Sequence, residues 1–292
     1  MTAAALALVV LAAVIHASWN FMIKRAAEAG PAFIAVTNVI ICVAYAPWAI
    51  WQMAQEGMVW SWTVLGCLLL SSAINLAYTL TLQRGYRVAE LSVVYPVARG
   101  TGPMLAALAA VLLLGETPTL FRGLGLLAVV AGIVLISTDG RVEVFGRPGG
   151  KAGLGWGLAT GALIAAYSVV DAYGVKALEI APVMLVWVGN ALRFPMLAPV
   201  VLANPRGAWA RMQGHWRMAL GVGLLSPLSY ILVLAALDMG APLGVVAPMR
   251  EMSMMVAALL GVLILRERVG PVRLAGCAAM IAGVVMLGAR GG

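Results

Sequence analysis

The chain has 292 residues, of which 63% are hydrophobic, and its 19 basic and 11 acidic residues make up only 10%, against ~25% charged residues in an average soluble domain. So few charges cannot cover the surface of a water-soluble protein of this size, which excludes a cytosolic enzyme, a disulfide-stapled secreted module and a disordered chain. The net charge of +8 does not mark a nucleic-acid binder: no lysine-rich or basic-aromatic run exists, and the basic residues lie between apolar segments, where they read as topology signals.

Apolar runs separated by breakers predict an all-α integral membrane protein with ten transmembrane helices: Ala3 to Met22, Phe33 to Met53, Trp60 to Leu82, Val88 to Leu114, Leu120 to Thr138, Gly155 to Val175, Pro182 to Ala203, Met218 to Leu237, Pro242 to Leu265 and Pro271 to Ala289. The first segment lacks a basic n-region and holds His16, Ser18, Trp19 and Asn20. It is predicted to be a helix of the mature protein and not a signal peptide. The longest hydrophilic stretches, Asp139 to Lys151 and Asn204 to Trp216, read as connections. Cys42, Cys67 and Cys277 lie inside apolar runs without paired or metal-ligand spacing, so they are predicted to be packing residues, and neither a metal nor a cofactor is expected.

The chain repeats itself. A shift of 151 residues places Asn20 on Asp171, Pro31 on Pro182, Glu116 on Glu267, Arg122 on Arg273, Gly125 on Gly276 and Gly132 on Gly283, and a shift of 152 places Pro96 on Pro248. This predicts one five-helix unit over residues 1–140, a connecting loop over 141–152 and a second unit over 153–292. Five is odd, so the second unit enters the membrane from the opposite face. Two inverted five-helix repeats are characteristic of secondary transporters, whose site lies near the midplane at the repeat interface. Connections after odd-numbered segments carry thirteen lysines and arginines and those on the other face carry three, which predicts that both termini lie outside the cytoplasm of a bacterial-type inner membrane.

Several motifs carry a family resemblance. His16-Ala-Ser-Trp-Asn20 with Lys24 closes the first segment, Tyr95-Pro96 precedes a small-residue stretch, Gly115-Glu116 closes the fourth and Arg122-Gly123 opens the fifth. The second half repeats the pattern with Pro248, Arg266-Glu267, Arg273 and Gly276. Together these resemble EamA-type members of the drug/metabolite transporter superfamily over nearly the whole chain. The resemblance implies a cavity lined mainly by segments 1, 3, 4, 6, 8 and 9 and export of small metabolites, amino acids being the most familiar class, as in YddG-type exporters. The superfamily also holds lipid-linked-sugar flippases and drug or metabolite efflux carriers, and a fold does not set the substrate. One departure is the stretch from Gln52 to Trp62, which holds only Glu56 as a charge where many relatives are basic.

Ionisable residues inside a bilayer are costly and face an interior or a cavity. Arg99, Asp171, Arg193, Arg250 and Glu251 qualify, and His16 joins them. Arg99 and the Arg250-Glu251 pair follow mid-segment prolines, Pro96 and Pro248, which read either as hinges or as static kinks. The Arg99 fork suits a carboxylate, with Tyr95 on the same face, or pairs with Glu251 across the pseudo-two-fold axis. Arg250 and Glu251, adjacent on a helix, are expected to point about 100° apart and not into one cavity. His16, Asn20 and Lys24 form a stripe whose counterpart is Tyr167 and Asp171, while Tyr78 and Tyr230 lie too deep for an interfacial belt and are expected to line the cavity. Glu116 and Glu267, at helix ends, are expected to fix turns with Arg122 and Arg273. Glycines in the fifth and tenth segments predict close helix contacts, either scaffolding or a homodimer.

The substrate-binding set is therefore expected to comprise His16, Asn20, Tyr78, Tyr95, Arg99, Tyr167, Asp171, Tyr230, Arg250 and Glu251, with hinges at Pro96 and Pro248. One cation for a carboxylate and one anion for an ammonium would suit a zwitterionic metabolite or amino acid, with proton coupling through Asp171, Glu251 or His16. No metal motif, nucleophile elbow or selectivity-filter signature favours an embedded enzyme or a channel.

Overall fold

A computed structural model describes residues 1–26, 30–57, 60–146, 149–265 and 270–288. Among the described residues the chain forms α1 (Ala3–Arg25), α2 (Gly30–Glu56), α3 (Trp62–Val88), α4 (Leu91–Leu114), α5 (Leu120–Thr138), α6 (Gly150–Lys176), α7 (Pro182–Leu202), α8 (Pro205–Met212), α9 (Trp216–Asp238), α10 (Leu243–Arg250), α11 (Met252–Leu265) and α12 (Pro271–Gly288). Eight of them, α1 to α6, α9 and α12, are long and apolar enough to cross a membrane. Local chemistry sets the ends. The side chains of Thr2, Ser61 and Thr119 accept from the amides of Ala5, Val64 and Arg122 to open α1, α3 and α5, satisfying donors that the first turn leaves orphaned. Gly115, at φ +69°, ends α4 in the left-handed region that a side chain would disfavour.

Ten apolar segments were expected, and twelve helices form for two reasons. The stretch Asn204 to Trp216 is not a plain connection: Asn204 caps α8, Pro205 occupies its first turn, and Trp216 already opens α9. The ninth segment is broken at Glu251, whose amide bonds to the Pro248 carbonyl at 3.1 Å while its own carbonyl accepts from Met254 at 3.0 Å. Pro248 has no N–H to give the ladder, so the helix is weakest there. By contrast, α4 runs on through Pro96 and Pro103.

Glycines decide the closest approaches. A Cβ at Gly125 would lie 2.8 Å from the Gly283 carbonyl oxygen, and one at Gly132 would lie 2.7 Å from that of Gly276, so α5 and α12 meet backbone to backbone. These faces are occupied by each other within one chain, the scaffolding use of the two that the glycines allowed. α4 packs on α6 in the same way, with Gly157 against Val97 and Gly161 against Thr101. Further contacts join α1 to α9, α3 to α6 and α2 to α7. In the last pair Asn38 Nδ2 donates to the Asn190 carbonyl at 2.9 Å.

The core is unevenly distributed along the bundle. Toward the end that holds the N-terminus, the C-terminus of α4 and the start of α10, one continuous cluster includes Val9, Ala12, Leu68, Ala110, Ala172, Leu234, Leu237 and Val246, and it extends along α5 as far as Ile136. At the opposite end a separate, smaller cluster joins only α1, α2, α8 and α9, through Ala26, Phe33, Met212 and Val222. The larger cluster packs one end closed, and among the described residues the smaller cluster at the other end does not join α1 and α9 to α3, α4 and α6.

Candidate functional site

Just below the sealed end, where the long helices pass their midpoints, lies a connected set of charged and aromatic side chains. Arg99, from α4, reaches Glu251, with Nη1 at 3.2 Å from Oε2 and 3.4 Å from Oε1. Its Nη2 lies 3.4 Å from Nε2 of His16 on α1. The guanidinium also sits 5.4 Å from the centre of the Tyr95 ring, one helical turn earlier. Glu251 is fully buried. Such a carboxylate demands a partner, and it has two, because Arg250 Nε stands 3.7 Å from Oε1. The break between α10 and α11 permits this: in an unbroken helix the two adjacent side chains would diverge, which is why the sequence pattern predicted that they could not share a cavity.

Arg250 differs from Arg99. It is 6% exposed and makes no hydrogen bond among the described residues, and its Nε is enclosed without one. Its guanidinium lies 6.0 Å from the centre of the Tyr167 ring on α6. That ring is central to an aromatic group, with the Tyr78 ring of α3 at 5.7 Å and the Tyr230 ring of α9 at 6.1 Å. One turn beyond Tyr167, Asp171 is fully buried, with one oxygen accepting from the Ser71 hydroxyl and the other from the Tyr230 hydroxyl. No ion pair to Asp171 forms among the described residues, although Arg193 of α7 lies within electrostatic reach. Tyr167 is buried, and Tyr78 and Tyr95 are half-buried.

The structure thus brings together His16, Tyr78, Tyr95, Arg99, Tyr167, Asp171, Tyr230, Arg250 and Glu251. Asn20 turns its amide to the carbonyl of His16 at 2.9 Å, a local bond within α1. The side chain of Lys24 lies outside the described residues, as does Glu267. Arg99 takes the second of the two roles open to it, as partner of Glu251. Both acids of the set have protein partners, Glu251 in Arg99 and Arg250 and Asp171 in the Ser71 and Tyr230 hydroxyls.

Glu116 is not fixed to Arg122. Its carboxylate accepts from the amides of Leu243 at 2.5 Å and Gly244 at 2.9 Å and stands 3.7 Å from Lys176 Nζ. It supplies the cap that Pro242 cannot give α10, on the positive end of the helix dipole. Arg122 Nη1 instead lies 3.4 Å from the Thr117 carbonyl, and Arg273 pairs with Asp139 at 3.7 Å. Sequence reading missed Ser71 and the Trp19 Nε1 to Ser229 bond of 3.1 Å that ties α1 to α9. A serine in an apolar run usually bonds its own helix, so nothing local distinguishes Ser71 from Ser72, whose hydroxyl returns to Leu68.

Comparison with known proteins follows from this arrangement. The model of the EamA-like transporter family matches the chain twice, over residues 3–138 and 151–289. The chain belongs to the EamA-like transporter family. This EamA protein is accordingly a multi-pass membrane transporter of small molecules. A crystal structure superposes with a TM-score of 0.71 over 98% of this chain and 96% of its own, at 16% identity, a likeness of fold alone.

Proposed function

We propose that this EamA transporter exports small metabolites, amino acids foremost, by alternating access at the cavity formed by Arg250 and the tyrosines. In this reading ten spans form two inverted repeats, residues 1–140 and 153–292 joined by 141–152, with α10 and α11 together serving as the ninth span. Contacts between equivalent positions support the symmetry. Arg99 meets Glu251 and Asn38 meets Asn190, each pair 152 residues apart. The Gly125–Gly283 contact exchanges into Gly276–Gly132 when the halves are swapped.

The observation that carries the proposal is a polar cluster at mid-bundle, contributed by both halves, with the larger packed core lying mostly toward one end. A site exposed to one side at a time is what alternating access requires. The unsealed end is the one carrying most of the basic connections, which the lysine and arginine bias assigns to the cytoplasm of a bacterial-type inner membrane. An exporter resting in this state is ready to load. Asp171, buried and without an ion-pair partner among the described residues, is the group we assign to proton coupling.

The test is counterflow in proteoliposomes preloaded with unlabelled amino acids. Saturable accumulation of a labelled amino acid, absent from empty vesicles, is the expected result. If none of the twenty exchanges, the amino-acid assignment fails.

A further inference from the structure

The unsatisfied groups in the site are all hydrogen-bond donors or hydroxyls. Glu251 is held by Arg99 and approached by Arg250, and Asp171 has one hydroxyl on each oxygen. Both acids are thus already engaged by protein donors, Glu251 by two guanidinium groups and Asp171 by two hydroxyls. The two aromatic faces best placed to attract a cation are taken as well, with Arg99 beside Tyr95 and Arg250 beside Tyr167. Arg250, in contrast, has its Nε enclosed without a hydrogen bond, 3.7 Å from Glu251 Oε1, although the side chain is more than nine-tenths buried. A buried guanidinium without hydrogen-bond partners is a strong demand for an anion.

The charge inventory of the midplane points the same way. Arg99, Arg193 and Arg250 face Asp171 and Glu251, so with both acids ionised the set carries one positive charge in excess. A charge in such surroundings is costly unless balanced, and one carboxylate balances it. The Tyr167 ring beside Arg250 packs against the Tyr78 and Tyr230 rings, and such rings suit an apolar or aromatic body.

We infer that the site selects its substrate as a monocarboxylate: Arg250 binds the carboxylate in bidentate fashion, the tyrosines hold an apolar or aromatic body, and no acidic group reads an ammonium. This rests on the transport reading above and narrows it. An amino acid is accepted because it is a carboxylate, and the deaminated acid with the same side chain is accepted at least as well.

The experiment uses matched sets sharing one body: phenylalanine, 3-phenylpropionate and phenethylamine, and leucine, 4-methylpentanoate and isoamylamine. Each compound is assayed for thermal stabilisation of the purified full-length protein and for inhibition of amino-acid counterflow in proteoliposomes. The carboxylates should stabilise the protein and inhibit at least as strongly as the amino acids, and the amines should do neither. Arg250→Gln should weaken the carboxylate response by about 10- to 100-fold, the span of one charged hydrogen bond, and Arg250→Lys should restore part of it by returning the charge without the fork. Because the matched sets are read on the unaltered protein, the outcome does not depend on how the variants fold. Stabilisation by the amines, or by the amino acids but not the deaminated acids, overturns the inference and leaves the transporter reading standing. If no compound binds and no counterflow occurs, both fall.

Discussion

The Arg99–Glu251 contact joins equivalent positions of the two halves at the centre of the bundle, so its energetics are unusual for an ion pair. Removing one partner leaves an uncompensated buried charge, which costs about 3–5 kcal/mol. Glu251 retains Arg250 at 3.7 Å, so Arg99→Ala should fall at the lower end of that range, read as a lowered melting temperature in detergent. The exchange Arg99→Glu with Glu251→Arg should recover part of the loss, since it restores opposite charges across the contact; a double variant no more stable than its worse parent would count against a direct pair. Asp171 poses a different question, because hydroxyls and not cations hold it. Asp171→Asn keeps the shape and one acceptor, so it should preserve amino-acid counterflow while abolishing acceleration by an imposed pH gradient. Unchanged acceleration in that variant would remove Asp171 from the coupling step. At this scale the sequence was informative about which charges stay in the membrane, since burying an ionisable group is costly enough to be visible in composition. It was silent about which donors remain free. That depends on geometry across helices: Arg99 and Arg250 look alike in the sequence, yet Arg99 bonds Glu251 while Arg250 lies beside Tyr167 with its Nε enclosed and unbonded.

Among the helices, the glycine stripes and the Glu116 cap are the contacts most sensitive to small changes. A methyl group at Gly132 would meet the Gly276 carbonyl oxygen at 2.7 Å and the Met280 backbone amide at 3.0 Å, and backbone cannot move aside as a flexible side chain can. Gly132→Val should therefore destabilise by at least the ~1–3 kcal/mol typical of overpacking. The same substitution at Gly123, which has open space around it, should cost little, and comparison of the two melting temperatures separates packing from helix propensity. Glu116→Gln keeps the acceptor but removes the charge at the start of α10 and the partner of Lys176. The expected loss is about 1–2 kcal/mol, with faster hydrogen exchange at Leu243 and Gly244 as the local signature. The positions of these helices were legible from apolar periodicity and breakers, and α5 begins and ends where the sequence placed it, at Leu120 and Thr138. The break in the ninth segment was not, because Pro248 announces weakness in a helix without saying that the chain will use it, as α4 running through Pro96 demonstrates.

Across the whole molecule, the uneven core makes a prediction about accessibility. Leu237 of α9 belongs to the continuous cluster and is 2% exposed, whereas Thr79 of α3 is half-buried and lies past the site toward the open end. With Cys42, Cys67 and Cys277 replaced, a cysteine at Thr79 should react readily with an impermeant maleimide in reconstituted protein, and one at Leu237 should be protected about tenfold or more, the ratio set by an opposite-facing state populated at ~10% or less. Alternating access requires more than this static contrast. Conditions that favour the other state must raise labelling at Leu237 while lowering it at Thr79, because opening the packed end separates α9 from α6 and α10 as the other end closes over the site. A saturating substrate that binds both states equally would move neither rate, so the measurement needs a ligand or gradient with unequal preference, and an imposed pH gradient is the natural choice if Asp171 carries the coupling proton. Labelling that rises at both positions together would signify general loosening of the bundle, and labelling unmoved by every gradient or ligand that drives counterflow would mean that the sealed end does not open during transport.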